Sequence, residues 1–424
     1  MFHRSAAAHA RDVRPWRVFA AFVWVVACGS APGGEATGAG GDAAASSGGD
    51  GTSTGGGDVT TSAEGGVTST AGVDVTSSSE GDGTSTTSGG GTHDSESGDI
   101  GGPVGEWIWH DVPGSICANG SSTGIGVNRG AGDRLVIYMS GGSACLDAGC
   151  SVGTPSMRKD GGFGAAELEA CVAGDCDGGV TFPAASIFDR EAAVNPFADD
   201  TFVFISNCAG DYYVGDGEHA FPGWTAQFHG WRNQDLFSAA LATAFPGASR
   251  VVLTGGSAGS VGAMLNYWRW AEAFAGTRVD LVTDSFAFIF PDGPEWRYAL
   301  HNPQAPPGCA TCTTDYRSVY DFNAGLVPGA RVAVLDSEDN WTLDLVTGYK
   351  YTQGLEELQL RLQDLPSVRY YVANGNVHIL MQHPLDSDAT DVVRDGEDPR
   401  YLSEFLARMQ DDDPAWDSVS CLGP

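Results

Sequence analysis

Four short runs of consecutive apolar residues stand out along the chain. They are Arg134–Met139, Thr201–Ser206, Arg250–Thr254 and Arg331–Leu335, and each ends in glycine or polar residues. A strand with one wet face alternates apolar and polar positions. A strand covered on both faces reads as an unbroken apolar run, as in parallel sheets flanked by helices. Between the runs, Asn233–Phe245 spaces its apolar residues as a helix does, and Ser260–Phe274 continues as a helix from the third run. A fifth run, Val368–Val372, leads into the turn-rich Asn374-Gly375-Asn376. Alternating strands and helices predict an α/β domain with a mostly parallel central sheet. Open sheets of this class place their sites at the C-terminal strand ends, which here carry the glycines and polar residues.

The pattern stops upstream of Pro103. From Ala31 to Gly102 the chain has no Lys, no Arg and no Phe, Tyr or Trp, and it is rich in Gly, Ser, Thr, Ala and acidic residues. Such a segment buries too little apolar surface to offset its ordering entropy, so a disordered tether is expected over 28–102. As a Gly/Ser-type coil of about 70 residues it would span roughly 45–50 Å. Before it, Arg4, Arg11, Arg14 and Arg17 precede the apolar Val18–Ala27. That run falls short of the about 20 residues a membrane span needs and reads as an export signal, residues 1–27. Val25-Val26-Ala27-Cys28 resembles the bacterial lipobox. The resemblance implies lipidation at Cys28 and a bacterial lipoprotein outside the cytoplasm, at the outer membrane or cell surface. Gly29 does not resemble the Asp that retains lipoproteins on the inner membrane. A plain signal peptide is the alternative. Residues 103–424 then form one enzyme-sized domain, expected to be a monomer.

Charge narrows the partners. The net charge is -32, from 22 Lys+Arg against 54 Asp+Glu, a field that repels phosphate backbones and excludes nucleic acid as a partner. It also disfavours polyanionic substrates. Ten cysteines fit an oxidising compartment. Apart from Cys28 they cluster as Cys145/Cys150, Cys171/Cys176 and Cys309/Cys312, with Cys117, Cys208 and Cys421 alone. Short-range disulfides within each cluster are expected, and an odd count leaves at least one thiol outside them. Cys309-Ala310-Thr311-Cys312 has redox or zinc spacing but no second such pair, so it is read as structural. No metal or nucleotide motif is present, and no cofactor is expected.

The third strand end carries the chemistry. Gly255-Gly256-Ser257-Ala258-Gly259 matches G-x-S-x-G between an apolar strand and a helix. A serine on that sharp turn needs small neighbours because the backbone is strained there. The motif is weak alone in a chain with 60 Gly, and its strand–helix context strengthens it. A nucleophilic serine needs a base, and the base an orienting carboxylate, in the order Ser, acid, His. The run 331–335 leads into Asp336-Ser337-Glu338-Asp339-Asn340-Trp341, with three carboxylates to choose from. Only His378 and His383 lie beyond it, and His378 follows the turn after the fifth run. The oxyanion needs amide donors. Ala258 supplies one, and the loop Ser140-Gly141-Gly142-Ser143-Ala144-Cys145 can supply others.

Over roughly Ser115 to His378 the chain resembles the pectin acetylesterase/Notum family of serine carboxylester hydrolases. The family's G-G-x-x-C is similar to Gly141–Cys145, and its C-x-x-D segment to Asp200–Asp211. Its G-x-S-A-G is similar to Gly255–Gly259, and its A-D-x-G/A to Thr283-Asp284-Ser285. Its acid motif S-A-Y-D-x-W-Q aligns with Asp336–Thr342, which picks Asp339 over Asp336. The resemblance implies an α/β-hydrolase-like fold and a Ser257–His378–Asp339 triad. It also implies an oxyanion hole of Gly142, Ser143 and Ala258 amides, with Asp284 as a support or a buried structural carboxylate. Two departures touch the pocket wall. Ser143 and Ala144 stand where relatives carry Trp, and Asn207 replaces a tyrosine. The reaction expected is hydrolysis of a small ester or an acetylated glycan, through an acyl-enzyme. The alternative is a surface binding module that retains the fold, anchored to a membrane only through Cys28.

Overall fold

The computed structural model describes residues 100–142, 144–145, 162–176, 180–286, 299–312, 315, 317–340, 342–343, 351–392 and 398–422. The export signal, Cys28 and nearly all of the expected tether lie outside these residues, as do Ser143, Cys150 and Trp341. Eleven strands are described: β1 (Trp107–Ile116), β2 (Ser122–Asn128), β3 (Arg134–Met139), β4 (Thr201–Ile205), β5 (Gly217–Phe221), β6 (Trp224–Phe228), β7 (Arg250–Gly256), β8 (Arg278–Asp284), β9 (Val332–Ser337), β10 (Val368–Ala373) and β11 (Val419–Ser420). Nine form one sheet in the order β1-β2-β4-β3-β7-β8-β9-β10-β11, and β5 and β6 pair separately. From β4 to β11 the neighbours are parallel, while β1, β2 and β4 pair antiparallel. This is the mostly parallel, α/β-hydrolase-like sheet expected.

Side-chain alternation explains the unbroken apolar runs. In β3, Leu135, Ile137 and Met139 enter one core layer, and Val136 and Tyr138 enter the other. In β9, Val332 and Val334 face the first layer, and Ala333 and Leu335 the second. Helices cover both faces: α1 (Ala165–Val172), α2 (Gly230–Ala244), α3 (Ala258–Ala273), α4 (Arg317–Ala324), α5 (Tyr351–Leu362) and α6 (Leu402–Gln410). α3 gives Val261, Met264, Leu265, Tyr267 and Trp270 to the first layer. α6 gives Leu402, Phe405, Leu406 and Met409 to the second. Burying each such side chain contributes about 1.5–3 kcal/mol, which is what holds the parallel strands between two helical layers. No described helix is long and apolar enough to cross a membrane.

The pattern did not announce every strand. β1 carries Pro113 and Gly114, is half exposed, and shifts register between Asp111 and Ile116. β8 holds a charge in its middle, Asp280, which is fully buried. Arg250 and Arg278 bond its carboxylate, and the Arg331 amide donates to it, so the charge is paired. Disulfides join Cys171 to Cys176 and Cys309 to Cys312, as expected. Cys145 is also disulfide-bonded. A third described bridge, Cys117–Cys208, closes 91 residues and joins two cysteines the spacing left alone. Cys421 is a thiol that donates to the Ala373 carbonyl at 3.3 Å.

Candidate active site

β7 ends at Gly256 and α3 begins at Ala258, so Ser257 takes the whole turn between them. Its φ is 52° and its ψ -118°, a conformation that costs a non-glycine residue about 1–3 kcal/mol. Close packing holds it there. A Cβ on Gly259 would overlap the Met139 carbonyl, and one on Gly255 would overlap the Gly259 carbonyl. The Ser257 amide donates to the Asp284 carbonyl at 2.8 Å, which ties the elbow to the end of β8. The strained turn leaves the hydroxyl half-buried at the C-terminal edge of the sheet.

The amide loop lies against this elbow. Gly141 sits so close that a Cβ there would be 2.6 Å from the Gly256 carbonyl oxygen. The Gly141 amide donates to Thr181 Oγ1, the Thr181 amide donates to Ser140 Oγ at 3.1 Å, and the Tyr213 hydroxyl donates to the Ser140 carbonyl at 2.8 Å. Gly142 follows with φ of 123°, which suits glycine alone. Beyond it, the Cys145 amide donates to Gly210, and the buried His301 ring bonds the Cys145 carbonyl. Burial pulls the His301 pKa down to about 4, so this ring is neutral and structural at ordinary pH. Ala258 opens α3, where amides have no intrahelical acceptor and the helix dipole favours negative charge. Gly142 follows the residue that packs on Gly256, and Ala258 directly follows Ser257.

His378 follows β10 on a loop fastened from beneath. Asp284 is fully buried, and its carboxylate accepts the Leu380 amide at 3.0 Å, the Met381 amide at 2.7 Å and the Ser285 hydroxyl at 2.7 Å. Ser285 Oγ in turn accepts the Ile379 amide at 2.8 Å. Ile379 has φ of 67°, and its Cγ2 lies 2.6 Å from where a Cβ on Gly256 would stand. One short segment, 284–285, therefore grips both the Ser257 amide and the three residues after His378. Burial raises the Asp284 pKa to about 7, against the pull of the donors. Asp284 is a support for the site and a buried carboxylate at once.

His378 is half-buried, and burial lowers its pKa to about 4, leaving a neutral imidazole as a base requires. Its Nδ1 lies 3.0 Å from Asn340 Oδ1. Asn340 is buried, and its Nδ2 donates to Asp336 Oδ1 at 2.9 Å. Asp336 also accepts its neighbour's Ser337 amide and the Tyr351 hydroxyl, both within 2.9 Å. Asp339 is exposed, with its amide donating to Gly375. Among the described residues no hydrogen bond joins its carboxylate to His378, nor Ser257 Oγ to His378. His383 sits beyond the short 3-10 turn Leu380–Gln382, half-buried, and has no bond to the 336–340 loop among the described residues.

The pectinacetylesterase family profile matches residues 108–299, a stretch that includes the amide loop, the nucleophile elbow and Asp284. Over this stretch the chain is similar to the pectinacetylesterases. The similarity is to a family of carboxylester hydrolases, and the described disulfides fit an oxidising compartment. Among solved structures, the Wnt deacylase Notum from Drosophila aligns with a TM-score of 0.49 and 16% identity, over 74% of this chain and 94% of that one. No curated protein matches the chain by sequence.

The pectinacetylesterase match stops before the loops that carry Asp336–Asn340 and His378, so their arrangement is read from geometry alone. Sequence reasoning grouped Ser257, Ala258, Gly142 and His378 in one site; the first two follow β7, Gly142 follows β3 and His378 follows β10. It did not find Asn340 as the imidazole's partner, because an amide among three carboxylates carries no signal for that role. It also missed Thr181, the anchor of the amide loop, since no spacing connects residue 181 with residues 140–141. Among the described residues no group of three or more His, Cys, Asp or Glu could hold a metal ion.

Proposed function

We propose that this chain hydrolyses short-acyl esters, acetyl esters above all, by a serine acyl-enzyme mechanism. The observation that carries the reading is the Ser257 elbow, strained between β7 and α3 and tied through Asp284 to the His378 loop. His378 Nε2 takes the Ser257 proton as Oγ attacks the acyl carbonyl. Amides of Gly142, Ser143 and Ala258 receive the developing oxyanion, the largest single effect in such sites. His378 then protonates the leaving alcohol, and water clears the acyl-enzyme by the same steps. The Nδ1 side of the imidazole must be held meanwhile, and the 336–340 loop supplies that hold.

The alcohol half is proposed to be a neutral or already acetylated glycan, or a small ester. A net charge of -32 opposes the approach of a polyanion. Export and lipid anchoring at Cys28 would place the domain at a bacterial cell surface, on a tether formed by 28–102.

The test is a panel of p-nitrophenyl acetate, butyrate and octanoate with fluorophosphonate labelling. We expect turnover to fall steeply with acyl length and the probe to label Ser257. Ser257→Ala should lose both, with Tm kept within a few degrees. Turnover that survives in Ser257→Ala overturns the mechanism. An unlabelled, inactive wild type would favour the binding-module alternative.

A further inference from the structure

We propose that Asn340 is the residue that positions His378, with Asp336 acting through it, in place of a carboxylate bonded directly to the imidazole. The inference rests on the serine esterase reading and adds a positioning residue to it.

The hydrogen bonds assign themselves. An Asn amide can be turned either way, so its oxygen and nitrogen must be identified from their partners. Here the Asp336 carboxylate also accepts from the Ser337 amide and the Tyr351 hydroxyl, so the Asn340 group facing it, at 2.9 Å, is the Nδ2 donor. Oδ1 is then left to face His378 Nδ1 at 3.0 Å. An amide oxygen only accepts, so Nδ1 carries the proton. The lone pair is thereby left on Nε2, the nitrogen that must take the serine proton. Asn340 selects the working tautomer as a triad carboxylate does because its oxygen faces the ring; an amide that presents its nitrogen there imposes the wrong tautomer, at a cost of about 10⁴ in kcat.

Burial and rigidity support the assignment. Asn340 and Asp336 are both buried, and Asp336 is locked by donors from its own turn and from α5. Asp339 is exposed and its carboxylate does not touch the ring among the described residues. Its alignment with the family acid follows chain spacing, whereas the next residue is the one the turn aims inward. Other charges near the histidine loop are Asp284, beneath residues 380–381, and Glu338, whose Oε1 accepts the Gly375 amide. Neither bonds the ring among the described residues. A neutral partner leaves the imidazole without the adjacent negative charge that would raise its pKa, which matches its value of about 4.

The test compares Asn340→Ala, Asn340→Asp and Asp339→Asn on p-nitrophenyl acetate, with folding checked by circular dichroism and Tm. Asn340→Ala should lower kcat by about 100-fold or more with KM changed less than about threefold, and Asp339→Asn should stay within about threefold of wild type. Asn340→Asp keeps an acceptor for Nδ1–H. It should recover at least about a tenth of wild-type kcat and move the acid limb of the pH profile upward by about one unit or more. A merely structural Asn340 would show no recovery and no shift. The proposal is overturned if Asp339→Asn loses about 100-fold while Asn340→Ala does not, or if neither variant loses activity while Ser257→Ala does. It is also overturned if both lose activity and Asn340→Asp leaves the acid limb in place. Retained turnover in Ser257→Ala would instead mean that the esterase reading itself has failed.

Discussion

His378 shows how burial tunes a single residue for the proposed reaction. The ring is ordinarily half-protonated near pH 6.5 and here titrates at about 4, because burial disfavours its charged form. A general base works only when neutral, so activity should be lost as pH falls through the folded pKa and not before. We expect the acid limb of kcat/KM for p-nitrophenyl acetate to lie between about pH 4 and 5. A limb at 6.5 or above would mean that a carboxylate stabilises the imidazolium directly.

At the scale of elements, the site depends on one crossing point at the end of β8. Asp284 accepts two amides from the histidine loop and one hydroxyl from Ser285, while its own carbonyl accepts the Ser257 amide. β7 and β10 are not neighbours, since β8 and β9 separate them. The clamp is what couples their ends. Asp284→Ala would strand the Leu380 and Met381 amides in the interior, at about 1–3 kcal/mol each. The expected outcome is a Tm lowered by several degrees and faster hydrogen exchange confined to residues 379–381. kcat should fall more than about tenfold while the backbone carbonyl keeps Ser257 in place. Exchange that rises evenly across the sheet would show that Asp284 supports the core in general and not this loop.

At the scale of the molecule, the Cys117–Cys208 bridge is the longest described constraint. It joins the turn after β1 to the end of β4, across a sequence separation of 91. Chain-entropy reasoning gives about 4.6 kcal/mol for a loop of that length, with native strain able to reduce it. The Cys117→Ala/Cys208→Ala pair should therefore unfold at clearly lower urea, with about 3–4 kcal/mol lost on linear extrapolation. The bridges Cys171–Cys176 and Cys309–Cys312 close 5 and 3 residues and should matter far less. Both cysteines of the long bridge are buried.

What the sequence determined by itself follows from local physics. A strand between two helical layers must be apolar at every position, so β3, β4, β7 and β9 were legible within two residues of their observed ends. The elbow was legible because a strained strand–helix turn demands glycine on both sides of Ser257. Edge strand β1 escaped, since a half-exposed strand with Pro113 and Gly114 has neither period. β8 escaped because Asp280 interrupts its run, and only the folded sheet shows that Arg250 and Arg278 neutralise that charge. The tertiary structure alone decided which residue of Asp336–Asn340 meets His378, and that Thr181 holds the amide loop. Those choices depend on which way a tight turn aims adjacent side chains. A one-residue step from Asp339 to Asn340 reverses that aim without leaving any trace in composition or spacing.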